Sequence, residues 1–248
     1  MNRWIVVAAS GALLACGAPQ ETPGGAEGAA STGASAEGAA QAAAAVGSGG
    51  QAAALAPAAV PGDFADLLKQ ADGSYQKTGW NHYGPGYFDL DRETGVLTSH
   101  GGMGLLWYSV HTYSDFVLEI EFRCTDAETN SGVFVRVPNV PASDDYIYHS
   151  FEVQINDAGE GIHSTAAAYD AEAPTKKASK PPGEWNQYRI TFQGNRLQVE
   201  LNGELVLDWQ AEPRGKVADF AEAGYVGLQN HDDRSPVYFR NVRIRALR

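Results

Sequence analysis

Period-two alternation governs most of the second half of this chain. In residues 116–123, Phe116, Leu118, Ile120 and Phe122 alternate with Val117, Glu119, Glu121 and Arg123. In residues 151–155, Phe151, Val153 and Ile155 alternate with Glu152 and Gln154. The same alternation recurs over 133–137, 188–192, 197–201, 225–229 and 237–244. Each is the signature of a half-buried strand. Residues 193–196, Gln-Gly-Asn-Arg, and the dipeptide Asn202-Gly203 supply the chemistry of tight hairpin turns. Before the strands, 63–70 places Phe64, Leu67 and Leu68 on one helical face, predicting a helical turn or two.

At least nine short strands with turns between them and little helix predict an all-β fold. About 188 residues lie beyond residue 60. That length suits a two-sheet antiparallel β-sandwich of jelly-roll type, and no internal repeat points to a propeller.

Residues 17–60 are different. They are Ala, Gly, Ser, Gln, Pro and Glu, with no aromatic or basic residue to nucleate a core. They read as a tether that would span roughly 35–40 Å r.m.s. as a coil. Ahead of it, Arg3 and the apolar run 4–14 form an export signal too short to span a bilayer. Leu13-Leu14-Ala15-Cys16 fits a bacterial lipobox. The expected organisation is a signal peptide at 1–15, a lipidated Cys16 and tether over 16–60, and a folded domain over 61–248. Without an Asp after Cys16, the expected location is the outer membrane and periplasm, with the lipid as anchor.

Net charge is −12. Residues 1–60 hold one basic and three acidic residues, so 17 basic and 27 acidic residues remain beyond, a net of −10. Such a surface repels phosphate backbones and argues against nucleic acid, while neutral sugars remain compatible. With Cys16 acylated, Cys124 has no disulfide partner and reads as a structural thiol.

The densest chemistry is Glu152-Val-Gln-Ile-Asn-Asp157. On a strand, Glu152 and Gln154 share a face, Asn156 continues the line and Asp157 sits at the exit. Carboxylates and amides on such a face are how a curved sheet builds a sugar site. Asn130 and Arg136 in Asn130-Ser-Gly-Val-Phe-Val-Arg136 would add polar groups, Arg136 from the face of Phe134. Gln229 and His231 add an amide and an imidazole. Trp107 and Trp185 are candidate stacking platforms, although aromatic residues in sandwiches are more often core. Asp144-Asp145 and Asp232-Asp233 offer oxygen ligands to a divalent cation without a recognisable metal spacing. Phosphate-loop and nucleophile-elbow motifs are absent from the sequence.

Nine collinear stretches resemble the 3-keto-disaccharide hydrolase domain family over about 75–248. They are Gly95-Val-Leu-Thr98, Gly104-Leu-Leu-Trp107, Tyr113 to Phe116 with Glu121-Phe-Arg123, the Asn130 and Glu152 stretches above, Pro181-Pro-Gly-Glu-Trp-Asn186, Leu201-Asn-Gly203, Gly227-Leu-Gln229 and Phe239-Arg-Asn-Val-Arg-Ile244. The resemblance implies a concanavalin-like, laminarinase-like jelly roll. The line Glu152, Gln154, Asp157 is similar to the acidic strand of laminarinase-type glycosidases, with an amide at the middle acid. The stretch 139–150, which contains His149, is longer than the family pattern.

The resemblance implies cleavage of a glycoside already oxidised at C3. A C3 ketone acidifies the C2 proton, and the C1 leaving group is β to it. The base is expected to be Glu152 or His231, with Asp157 as ligand or second acid/base. Arg136 and Gln154, with or without a divalent ion, would hold the oxygens. Its substrate would come from a sugar 3-dehydrogenase. Two other readings stay open: a non-catalytic carbohydrate-binding lipoprotein, and a laminarinase-like hydrolase of unoxidised glucan, which needs two carboxylates about 5–5.5 Å apart.

Overall fold

The computed structural model describes residues 62–231, 233–234 and 236–247. The expected signal peptide, Cys16 and the 16–60 tether lie outside the described residues, as does Asp232.

Among the described residues thirteen strands follow one another: β1 (Ala65–Asp66), β2 (Trp80–Tyr83), β3 (Tyr87–Leu90), β4 (Leu97–His100), β5 (Gly104–Tyr113), β6 (Phe116–Cys124), β7 (Ser131–Val137), β8 (Phe151–Ile155), β9 (Asn186–Gln193), β10 (Arg196–Leu201), β11 (Glu204–Gln210), β12 (Gly224–Asn230) and β13 (Val237–Ala246). All pairings are antiparallel. They form an eight-stranded sheet, in the order β11-β10-β9-β6-β13-β4-β3 with β1 also on β13, and a five-stranded sheet, β2-β5-β12-β7-β8. This is the expected two-sheet antiparallel sandwich of jelly-roll type. Helix among the described residues is limited to two 3₁₀ turns, Asp144–Tyr148 and Gly161–His163.

The alternating apolar sets meet between the sheets. Leu118, Ile120 and Phe122 of β6, Ile190 and Phe192 of β9, and Phe239 and Ile244 of β13 face Val133, Val135, Phe151, Val153, Ile155, Val226 and Leu228 of the smaller sheet. Each contributes about 1.5–3 kcal/mol by leaving water. Cys124 joins this core as a free buried thiol, and burial pushes it up to about 12. The Asn202-Gly203 hairpin has φ of 55° and 82°, as its sequence requires.

Two expectations need correction here. Residues 63–70 do not form a helical turn: Ala65–Asp66 pairs with β13, and the Leu67 N–H donates to the Val242 carbonyl at 2.8 Å. Sheet pairing and burial of Leu67 and Leu68 override the weak helical periodicity. Arg136 does not share the face of Phe134. It takes a left-handed φ of 56°, and the β7–β12 register shifts between Tyr225 and Gly227. This bulge turns Arg136 inward and puts Val137 on the Phe134 side. Gly224 accommodates it, because a Cβ there would lie 2.3 Å from the Arg136 carbonyl carbon.

Candidate functional site

Because strands alternate, the small sheet has a second face. Leu105 and Trp107 of β5, Gly227 and Gln229 of β12, Gly132 and Phe134 of β7, and Glu152 and Gln154 of β8 all point outward, held in register by Gln229↔Leu105, Gly227↔Phe134, Phe134↔Glu152 and Gly132↔Gln154. One half of this face is apolar: Leu105, Trp107, Phe134 and Val137 lie beneath Tyr146 and beside Tyr225. The 139–150 stretch delivers Tyr146 to this cover, edge-on to Phe134 at 5.1 Å between centroids. The other half is polar and forms the site.

An inner pocket of about 70 Å³ is lined by Met103, Asn130, Ile147, Glu152, Gln154, Tyr169, Lys216, Gln229 and His231. Five of the sequence candidates thus converge: Asn130, Glu152, Gln154, Gln229 and His231. An open cleft of about 730 Å³, lined by Glu128, Asn130, Asn156, Ala158, Gly159, His231 and Arg234, adjoins it through Asn130 and His231, which line both.

Glu152 lies in the pocket wall, 7% exposed. Burial pushes its carboxyl up to about 8, against the opposing pull of Lys216. It therefore carries its proton at neutral pH. The Gln154 amide, with nitrogen toward Glu152, donates to Glu152 Oε1 (3.2 Å) and the Ser131 carbonyl (2.8 Å). The free edge of β8 is covered by the chain that follows: Gln154 N–H donates to the Ala167 carbonyl and Tyr169 N–H to that of Glu152, at 3.0 and 2.9 Å. That cover sets Tyr169 beside the pocket.

Gly132 leaves room for this arrangement. A Cβ there would lie 2.3 Å from Glu152 Oε1 and 2.6 Å from its Cγ. Gly132→Ala is expected to displace the carboxyl, cost about 1–3 kcal/mol of stability and reduce activity at least as strongly as it reduces stability. Denaturant melts and initial rates on the same preparation check both.

At the mouth, the Asn130 amide nitrogen lies 3.2 Å from His231 Nε2. With the amide donating, Nε2 is the acceptor and therefore the basic nitrogen. Gln229 is 4% exposed, and its Oε1 is buried with no hydrogen-bond partner among the described residues. A buried acceptor in that state awaits a donor such as a sugar hydroxyl.

Other expected residues fall elsewhere. Asp157 leaves the line after β8 ends, lines a different cavity with Lys177 and Ser179, and accepts from Thr165 Oγ1 at 2.7 Å. Trp107 is on the correct face but at its apolar end, 6% exposed and packed on Tyr225 at 4.9 Å, so it supports the sheet and offers no open ring. Trp185 is on the wrong side of the molecule: it precedes β9 and packs under Arg123 and Arg240 of the eight-stranded sheet, at 4.9 and 4.0 Å. Arg136 donates to the carbonyls of Ser114 (2.8 Å) and Gly194 (2.7 Å) and lies 3.8 Å over the Phe192 ring. It is therefore a core residue, and burial lowers its guanidinium from the ordinary value. His149 pairs with Asp219 at 2.5 Å outside the pocket. Among the described residues no three His, Cys, Asp or Glu side chains gather as a metal centre. Sequence reasoning missed Met103, Tyr169 and Lys216, which come from loops, and Ile147, which comes from the 3₁₀ turn Asp144–Tyr148; the Gly215-Lys216 dipeptide, a turn signal, was the one available hint.

Fold and site together define a jelly-roll β-sandwich with a polar pocket on the outer face of its smaller sheet. The chain belongs to the 3-keto-alpha-glucoside-1,2-lyase-like domain family, whose profile matches residues 66–245. It is 25% identical to the 3-keto-disaccharide hydrolase of Bacteroides thetaiotaomicron, over 55% of this chain and 60% of that protein, so it spans about 60% of the length of that curated relative. A crystal structure from Parabacteroides distasonis, provisionally described as a glycosyl hydrolase, superposes with a TM-score of 0.62 at 26% identity, covering 75% of this chain and all of that one. A Bacillus subtilis protein with a galectin-like fold superposes with a TM-score of 0.52 at 10% identity, covering 76% and 97%, and shares the fold alone.

Proposed function

We propose that this chain cleaves 3-keto-glycosides by removing the C2 proton and expelling the C1 substituent. The observation that carries this reading is a buried carboxyl that keeps its proton, Glu152, and an imidazole, His231, lining one pocket. A protonated carboxyl can give a proton to a leaving oxygen, and an imidazole can take one from carbon.

His231 takes the C2 proton, and the C–H electron pair becomes an enolate on the C3 oxygen. The enolate pair then forms C1=C2 as the C1–O bond breaks, and Glu152 gives its proton to the departing oxygen. The resulting carboxylate is held by the nearby positive charge of Lys216. Addition of water to C1=C2 completes hydrolysis; release before that step makes the reaction a lyase. Gln229 and Gln154 supply amide contacts to ring hydroxyls. The oxidised ring occupies the inner pocket and the aglycone the open cleft, so the scissile bond lies at Asn130 and His231, which line both. A 3-dehydrogenase acting on sugars is the class of enzyme that would supply the substrate, and the sequence of residues 1–16 supports an envelope-anchored lipoprotein.

The laminarinase-like reading has less support. Among the described residues, Glu152 is the one carboxylate lining the inner pocket, whereas Asp157 lines another cavity. The test is turnover of 3-keto-trehalose and 3-keto-glucosides beside their unoxidised parents, each with and without EDTA. Cleavage of the keto forms alone is the expected result, and the EDTA arm reports any metal requirement. Saturable binding without turnover of any substrate would replace this reading with glycan capture.

A further inference from the structure

The elimination needs a charge near the C3 oxygen, where the enolate forms. Arg136, the cation expected there, is buried in the core. We propose that Lys216 is a catalytic residue that binds the C3 oxygen and holds its negative charge in the transition state. The proposal rests on the cleavage reading above and assigns a role within that same site.

Among the described residues, Lys216 is the only Lys or Arg side chain lining the inner pocket. Its presentation is built. Residues 214–217 form a two-residue turn, closed by Arg214 N–H to the Val217 carbonyl at 2.8 Å and the reciprocal bond at 3.0 Å. Gly215 takes φ +56°, and a Cβ there would lie 1.7 Å from the Asp170 carbonyl oxygen, so the tip is seated directly on the 170 turn. Arg214 pairs with Glu172 on that same turn, and Ala218 N–H donates to the Tyr148 carbonyl at 3.1 Å. An otherwise irregular connection between β11 and β12 is thus tied on both sides of one lysine. The ammonium lies 4.9 Å over the Tyr169 ring centroid, and it makes no close ion pair with a carboxylate among the described residues. A cation held in place without a carboxylate partner is ready for a developing oxyanion, and it needs no reorganisation when charge appears.

The bookkeeping of the step is complete. The electrons of the broken C2–H bond reside on the C3 oxygen until they form C1=C2, and Lys216 keeps all its protons throughout. The enolate charge exists only between the two bond-breaking events and the Glu152 carboxylate only after its proton has been given, so loss of Lys216 should fall on kcat more than on KM.

The experiment compares the full chain with Lys216→Met and Lys216→Arg on 3-keto-trehalose, with thermal melts of all three. Loss of one oxyanion-hole donor lowers kcat by about 10²–10³. Lys216→Met should lose activity on that scale with KM changed less than threefold and melting unchanged, and Lys216→Arg should recover part of it. Wild-type turnover with Lys216→Met within threefold in kcat would overturn this role alone. A rise in KM with kcat intact would also overturn it, making Lys216 a ground-state binding group. If the wild-type chain cleaves no keto substrate, the parent reading fails and this role fails with it.

Discussion

Glu152→Gln should lower turnover of a 3-keto-glycoside by about 10²–10⁴ while making the protein more stable in alkaline buffer. The amide cannot give a proton to the leaving oxygen. It does keep the size and hydrogen-bonding capacity of the neutral acid. The stability half follows from proton linkage. The folded carboxyl, pushed up by burial to about 8 from an ordinary value of 4.5, keeps its proton where the unfolded chain has lost it. Its contribution is therefore fully favourable below about pH 4.5, declines as pH rises to about 8, and then stays at its lowest level. Glu152→Gln removes that decline. Above pH 8 the variant should be about 1–3 kcal/mol more stable than wild type, and near pH 4 the two should converge. Denaturant melts at the two pH values check this, and equal stability at both would mean that Glu152 titrates normally. The kinetic counterpart is loss of wild-type activity as pH rises through about 8.

Arg136→Met should destabilise the fold by about 2–4 kcal/mol and leave KM for a keto sugar unchanged. Hydrogen bonds from a charged donor are worth more than neutral ones, and this guanidinium holds two carbonyls from separate elements, Ser114 and Gly194. Met fills much of the space over Phe192 and leaves those carbonyls without their donor. A stable Arg136→Met protein with a raised KM would restore the arginine to the sugar site and contradict the inward geometry.

These two residues mark where the sequence could be read and where it could not. Glu152, Gln154 and Gln229 were legible because an intact strand assigns faces by parity. Asn130 and His231 were legible as flanks of such strands. Arg136 has the same apparent parity as Phe134, but one residue at φ 56° inverts it, and no local pattern announces the bulge. Trp185 failed for another reason. Alternation tells which residues point together, but it does not tell to which sheet a strand belongs, and β9 joined the sheet without the site. Lys216 and Tyr169 come from loops whose position is set by tertiary contacts, and Asp157, expected at the strand exit, follows a strand that already ends at Ile155.

The topology also bears on how the chain acquires its structure. β13 is inserted between β6 and β4, so the centre of the larger sheet is laid down last. Until Val237–Ala246 is in place, β6 and β4 each expose an open ladder edge, and the inner apolar rows have no complete opposing layer. Closing the larger sheet therefore joins segments distant in the chain, and folding dominated by such contacts is expected to be slow. A chain of this design spends its vulnerable interval before completion, and truncation within β13 should abolish the fold instead of trimming it.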